Sequence, residues 1–147
     1  MTGTSSEQTV ITNLTSNQQN VLVDSGWITA TGIPNVLVVP NGIWHLYAYF
    51  TKSTSTANVN AYFTISKWNG STASLLFTSD PVLIGWDTNN TTPVEIKLNA
   101  VATTVALSLT DRLILNLYLN QIHHKWHHHG IVINNPNHQN SNYKFYT

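Results

Sequence analysis

The chain lacks cysteine throughout its 147 residues, which excludes a disulfide framework and any thiolate metal site. Charge is nearly as scarce. Only 8% of the residues are Asp, Glu, Lys or Arg, against roughly 25% in an ordinary soluble domain. The six basic and six acidic residues cancel, so the electrostatic footprint of a nucleic-acid binder is missing and no nucleic-acid partner is expected. No run approaches the roughly 18 apolar residues of a membrane span, so no membrane insertion is expected. Residues 1–8 show no basic stretch followed by an apolar one, so a secretory leader is not expected there. They are polar and are expected to form a flexible lead-in, with a single domain over 9–147.

What the chain does have is 41% hydrophobic residues, enough at this length to bury a core without staples. Its polar surface must come from Asn, Thr and Ser. Surfaces of that kind are common on secreted binding modules and on virus exteriors, which is an association of composition only.

Along the chain, short β-rich runs alternate with turn signals, and no helical period persists. The clearest strand is 113–119, with Leu113, Leu115, Leu117 and Leu119 on one face and Asn116 and Tyr118 on the other. Period two of this kind marks a strand with one face on the core. Residues 43–51 open after Pro40-Asn41-Gly42; Trp44, Leu46, Ala48 and Phe50 share one face, and Ile43, His45, Tyr47 and Tyr49 the other. Residues 59–67 group Val59, Ala61, Phe63 and Ile65, then reach Trp68-Asn69-Gly70-Ser71, where Asn-Gly signals a hairpin with 75–77 pairing back. Weaker strands are predicted at 10–14, 27–31, 36–39, 82–84, 94–98, 105–109, 131–133 and 143–145. The fold class predicted is all-β, a jelly-roll sandwich of about 8–10 antiparallel strands.

The conspicuous cluster is His123-His124-Lys125-Trp126-His127-His128-His129. Imidazole is a common transition-metal ligand. Were the domain a trimer, His127 and His129 from three chains would set six nitrogens around an ion on the axis. The plainer reading is a solvated hairpin tip without any cofactor. The six acidic residues sit mostly at turns or strand ends and supply no carboxylate pair, so acid/base catalysis is unsupported and no catalytic residue is assigned. Asp111-Arg112 reads as a turn ion pair or a cap. Trp68 and Trp86, at loop edges with Asp87 and Asn89 beside the latter, are the candidates for stacking on a host-surface glycan. Tyr47, Tyr49 and Tyr118 are amphipathic candidates for an interface. Sequons at Asn13, Asn69, Asn89 and Asn90 carry little weight in a chain so rich in Asn, Ser and Thr.

Three stretches show a resemblance: Val39-Pro-Asn-Gly-Ile-Trp-His-Leu-Tyr-Ala-Tyr49, Leu75-Leu-Phe-Thr-Ser79, and Leu109-Thr-Asp-Arg-Leu-Ile-Leu-Asn-Leu-Tyr118. Together they resemble the strand openings of β-rich surface, fibre and capsid-associated domains of large DNA viruses and tailed phages, over roughly residues 36–120. The chain departs from that pattern after residue 120. The resemblance implies a trimeric jelly roll similar to tumour-necrosis-factor and C1q heads, placed on a virion surface and packed against capsid or fibre subunits, with receptor contact at its loops. The alternative is a secreted, monomeric carbohydrate-binding module or lectin using the loop tryptophans.

Overall fold

The computed structural model describes residues 9–15, 17–53, 58–86 and 92–122, together with the backbone of 141–146. Among them every regular element is a strand: β1 (Thr9–Leu14), β2 (Val21–Leu22), β3 (Trp27–Ile28), β4 (Val38–Val39), β5 (Gly42–Lys52), β6 (Asn58–Trp68), β7 (Ala73–Thr78), β8 (Val82–Leu83), β9 (Val94–Ala102), β10 (Val105–Ala106), β11 (Arg112–Ile122) and β12 (Ser141–Tyr146). The first sheet runs β1-β12-β5-β9. The second is centred on β11 and β6, with β2 and β3 on the far side of β11 and β7 and β8 on the far side of β6. Every pairing is antiparallel, and β4 with β10 makes a separate two-stranded ribbon.

The two sheets close on each other because their strands alternate. On β9, Ile96, Leu98, Ala100 and Ala102 are buried while Glu95, Lys97, Asn99 and Val101 are exposed. On β6 the buried set is Val59, Ala61, Phe63 and Ile65, and on β11 it includes Leu117 and Leu119. Together with Leu14, Ala48, Phe50 and Phe77 these make one core, and Trp44 of β5 meets Phe77 of β7 with ring centroids 5.3 Å apart. The result is an all-β sandwich.

The long strands lie where alternation predicts them. The weaker runs at 27–31, 36–39, 82–84 and 105–109 shrink to two-residue strands, and β2 has no counterpart among the predicted strands. The run at 131–133 and the lead-in at 1–8 lie outside the described residues. The Asn69-Gly70 turn closes as expected. Trp68 pairs with Ala73, and Asn69 Oδ1 accepts the N–H groups of Ser71 at 2.9 Å and Thr72 at 2.8 Å. Gly70, at φ 96°, takes the left-handed position.

Of the two readings of Asp111-Arg112, the cap holds and the ion pair does not. Asp111 does cap its turn, accepting the Ser108 N–H at 2.8 Å, yet its cationic neighbour is Lys67, at 3.9 Å. Arg112 instead donates its Nε–H to the Thr29 carbonyl at 2.5 Å. Asp111 lies in the turn just before β11, its carboxylate engaged by the Ser108 N–H, while Arg112 opens the strand and reaches Thr29.

Candidate functional site

The candidate site is the outer face of β5 and β9. Because the inner positions of both strands are apolar, the residues between them are forced outward together. The register sets Ile43 opposite Val101, His45 opposite Asn99, Tyr47 opposite Lys97 and Tyr49 opposite Glu95. The Asn99 carbonyl accepts the Asp80 N–H at 3.3 Å, away from β5. These four rows are therefore non-hydrogen-bonded pairs, the kind in which facing side chains come closest.

Each polar row is closed by its own contact. His45 Nδ1 lies 2.6 Å from Asn99 Oδ1, and the Lys97 ammonium sits 5.6 Å from the Tyr47 ring centroid. The Tyr49 hydroxyl donates to the Glu95 carboxylate. That hydrogen bond, followed by the carboxylate charge, raises the Tyr49 phenol above its ordinary pKa. The remaining row has no polar contact to make. Ile43 is 64% exposed and Val101 74% exposed, directly opposite each other, and Tyr47, on the same face beyond the His45–Asn99 row, is 53% exposed. That row leaves two facing aliphatic side chains open on the sheet face.

Tyr118 does not join this face. It stands on the outer face of the second sheet, across the core from Tyr47 and Tyr49, so the three expected interface tyrosines form no single patch. The cause is parity and sheet membership: β11 and β5 lie in different sheets, and each turns its tyrosines away from the shared core. Tyr118 stacks on Tyr62, with centroids 5.0 Å apart and planes 15° from parallel, and Tyr62 donates to Asn20 Oδ1 at 2.8 Å. Burial, then Tyr118, raises the Tyr62 phenol.

The tryptophan candidates are also separated. Trp68 is half-buried at the last position of β6, beside the Asn69-Gly70 hairpin. Trp86 is half-buried against the core with the Lys52 ammonium 5.3 Å from its ring centroid. Lys52 ends β5 at the end of the sandwich where β6 begins, so the two indoles belong to opposite ends. Desolvation lowers the Lys52 pKa. Asp87 and Asn89, and His127 and His129 in the connection between β11 and β12, lie outside the described residues. Among the described residues no three His, Asp or Glu side chains gather into a metal-binding group.

Ile43 was legible as a partner of Tyr47 and Tyr49 from the alternation of β5. Val101, Lys97 and Glu95 escaped notice as site residues, although Glu95, Lys97, Asn99 and Val101 alternate with apolar residues as clearly as β5 does. What was missing was the pairing of β5 with β9 across a long sequence separation. No protein-family model, curated protein or solved structure matches this chain.

Proposed function

We propose that this chain is a structural protein of a virion surface, a jelly-roll domain of the capsid-decorating, fibre-head or tail-head kind that assembles as a symmetric homo-oligomer. The topology supports the jelly-roll reading. Counting β2 and β3 as one broken strand and setting aside β8 and the β4–β10 ribbon, the order β1-β12-β5-β9 against β2/β3-β11-β6-β7 has every consecutive connection crossing between sheets except the β6–β7 hairpin, as in a jelly roll. The observation that carries the assembly reading is the exposed Ile43–Val101 row on the face that also bears the exposed Tyr47. A low-charge surface suits self-association, since a symmetric contact can bury such groups without stranding unpaired charges.

Light scattering of the purified protein, with and without a chelator, tests the reading. A stable mass near three times 16.4 kDa supports a surface trimer, and a mass that falls on chelation supports an axial ion held by His127 and His129. A monomer under both conditions overturns the intrinsic oligomer and favours a secreted glycan-binding module. A host glycan is a second proposed partner, favoured by Trp68 at a hairpin tip. Glycan binding that survives Trp68→Ala would remove that contact.

A further inference from the structure

Among the described residues, the outer edge of β9 is left available for pairing. β9 is the terminal strand of its sheet, bonded to β5 on one side only. The Asn99 carbonyl faces away from β5 toward Asp80. In an antiparallel strand the N–H and C=O of one residue point the same way and alternate along the chain. Glu95 and Lys97 therefore present their backbone groups to the open edge, as Asn99 does, while Val94, Ile96 and Leu98 turn theirs toward β5. Among the described residues only Asp80 bonds to that edge, and it does so at Asn99. Among the described residues, the outer edge of the stretch from Val94 to Leu98, with the Glu95 and Lys97 backbone groups, faces no other strand and is a ready template for one.

We propose that the chain self-associates edge to edge through β9, two copies pairing antiparallel about a two-fold axis at Ile96. This goes beyond the particle-surface reading and does not depend on a three-fold contact. The charges select the register. Centred on Ile96, Glu95 of each copy lies opposite Lys97 of the other, and both residues direct their backbone groups at the junction. Both are therefore hydrogen-bonded pairs that exchange two N–H···O bonds. Their side chains share the exposed face, so two opposite-charge cross-strand pairs form across the junction. Centring on Glu95 or on Lys97 sets like charges against each other. Centring on Leu98 needs the Asn99 carbonyl that Asp80 already uses. The contact is isologous and closes on itself, which limits it to pairs and avoids an open fibre.

Charge reversal and mixing test this in the full chain, with mass read by light scattering over a concentration series. Lys97→Glu alone and Glu95→Lys alone are each expected to weaken pairing by roughly tenfold or more, because like charges then meet twice. An equimolar mixture of the two variants restores pairing between unlike chains, and the double variant Glu95→Lys/Lys97→Glu restores it within one chain. Lys97→Pro abolishes pairing while keeping the fold by circular dichroism, since the lost N–H faces the open edge and not β5. A parent mass of two or six chains that halves in the single variants supports the edge contact; two chains would at the same time remove the three-fold reading. A parent mass of three chains unchanged by every variant overturns the edge contact and leaves the trimer standing. A monomeric parent overturns both. Single variants that dissociate but are not restored by mixing also overturn it, because the charges would then act elsewhere.

Discussion

The outer face of β11 and β6 and the outer face of β5 and β9 use similar residues and reach opposite ends. On the first, Tyr62 and Tyr118 stack on each other, the Tyr62 hydroxyl is taken by Asn20, and Asn120 Oδ1 accepts the Asn20 N–H at 2.6 Å. Every residue of β11 from Arg112 to Gln121 is at least half-buried. On the second face, Tyr47 stands 53% exposed and the Ile43–Val101 row, beyond His45 and Asn99, is open aliphatic carbon. Position within the sheet accounts for the difference. β11 and β6 are interior strands flanked on both sides, and Asn20, just before β2, hydrogen-bonds to both Tyr62 and Asn120 on that face. β9 is a terminal strand with β5 on one side only, and β12 flanks β5 only from Tyr49 to Lys52, so Ile43 and Tyr47 have a described strand neighbour only in β9. Among the described residues, one sandwich thus covers one surface with its own side chains and leaves the other exposed.

The largest expected effect contrasts the two tyrosine sets. Tyr62→Ala removes a stacked, half-buried ring and its hydrogen bond, and is expected to lower unfolding stability by about 2–4 kcal/mol. Tyr47→Ala, on the open face, is expected to change it by no more than about 0.5 kcal/mol. Urea denaturation of both variants at one concentration measures this. Equal losses would mean that the β5–β9 face is as self-supporting as the other, and the contrast would fail.

A smaller effect probes how the closed face is covered. Between β2 and β3 the chain turns through Asp24 at φ 53° and Gly26 at φ 76°. A Cβ on Gly26 would stand 2.1 Å from Asn116 Oδ1 and 3.1 Å from the Leu115 carbonyl. Gly26→Ala is expected to cost about 1–3 kcal/mol from the left-handed backbone and the clash together. Adding Asn116→Ala should return part of that loss, since it removes the nearer contact and leaves the backbone strain. Additive losses in a double-mutant cycle by thermal unfolding would show that the turn does not bear on Asn116.

That same turn marks where the sequence stops being informative. The three strands with sustained alternation, β5, β6 and β11, were legible because each presents several apolar residues at period two to one core. β2 and β3 were not, since two residues cannot show a period and the kink at Asp24 and Gly26 breaks any longer one. Within β11 the outward direction of Tyr118 was legible. Its separation from Tyr47 and Tyr49 was not, because parity fixes the face of a strand and says nothing about the sheet to which that strand belongs. The candidate face depends on the same missing knowledge: Ile43 meets Val101 only through strand pairing, and pairing between distant segments leaves no local mark.

The smallest effect separates the faces by the cause of a titration. Tyr49 and Tyr62 both ionise above the ordinary tyrosine value near 10. For Tyr49 the leading cause is the hydrogen bond to Glu95 and then its charge; for Tyr62 it is burial, then Tyr118. In both, the folded state favours the protonated phenol. Its contribution to stability is complete below the unfolded value and is lost as pH rises through the higher folded one. Glu95→Gln, followed by ultraviolet difference absorbance, should bring the Tyr49 midpoint back toward 10 while Tyr62 stays raised. Added salt should lower the Tyr49 midpoint and leave Tyr62 in place, because screening acts on an exposed charge and not on burial. Two midpoints that shift together under Glu95→Gln would mean the faces are electrostatically coupled through the core, and the open face could not then be treated as an independent surface.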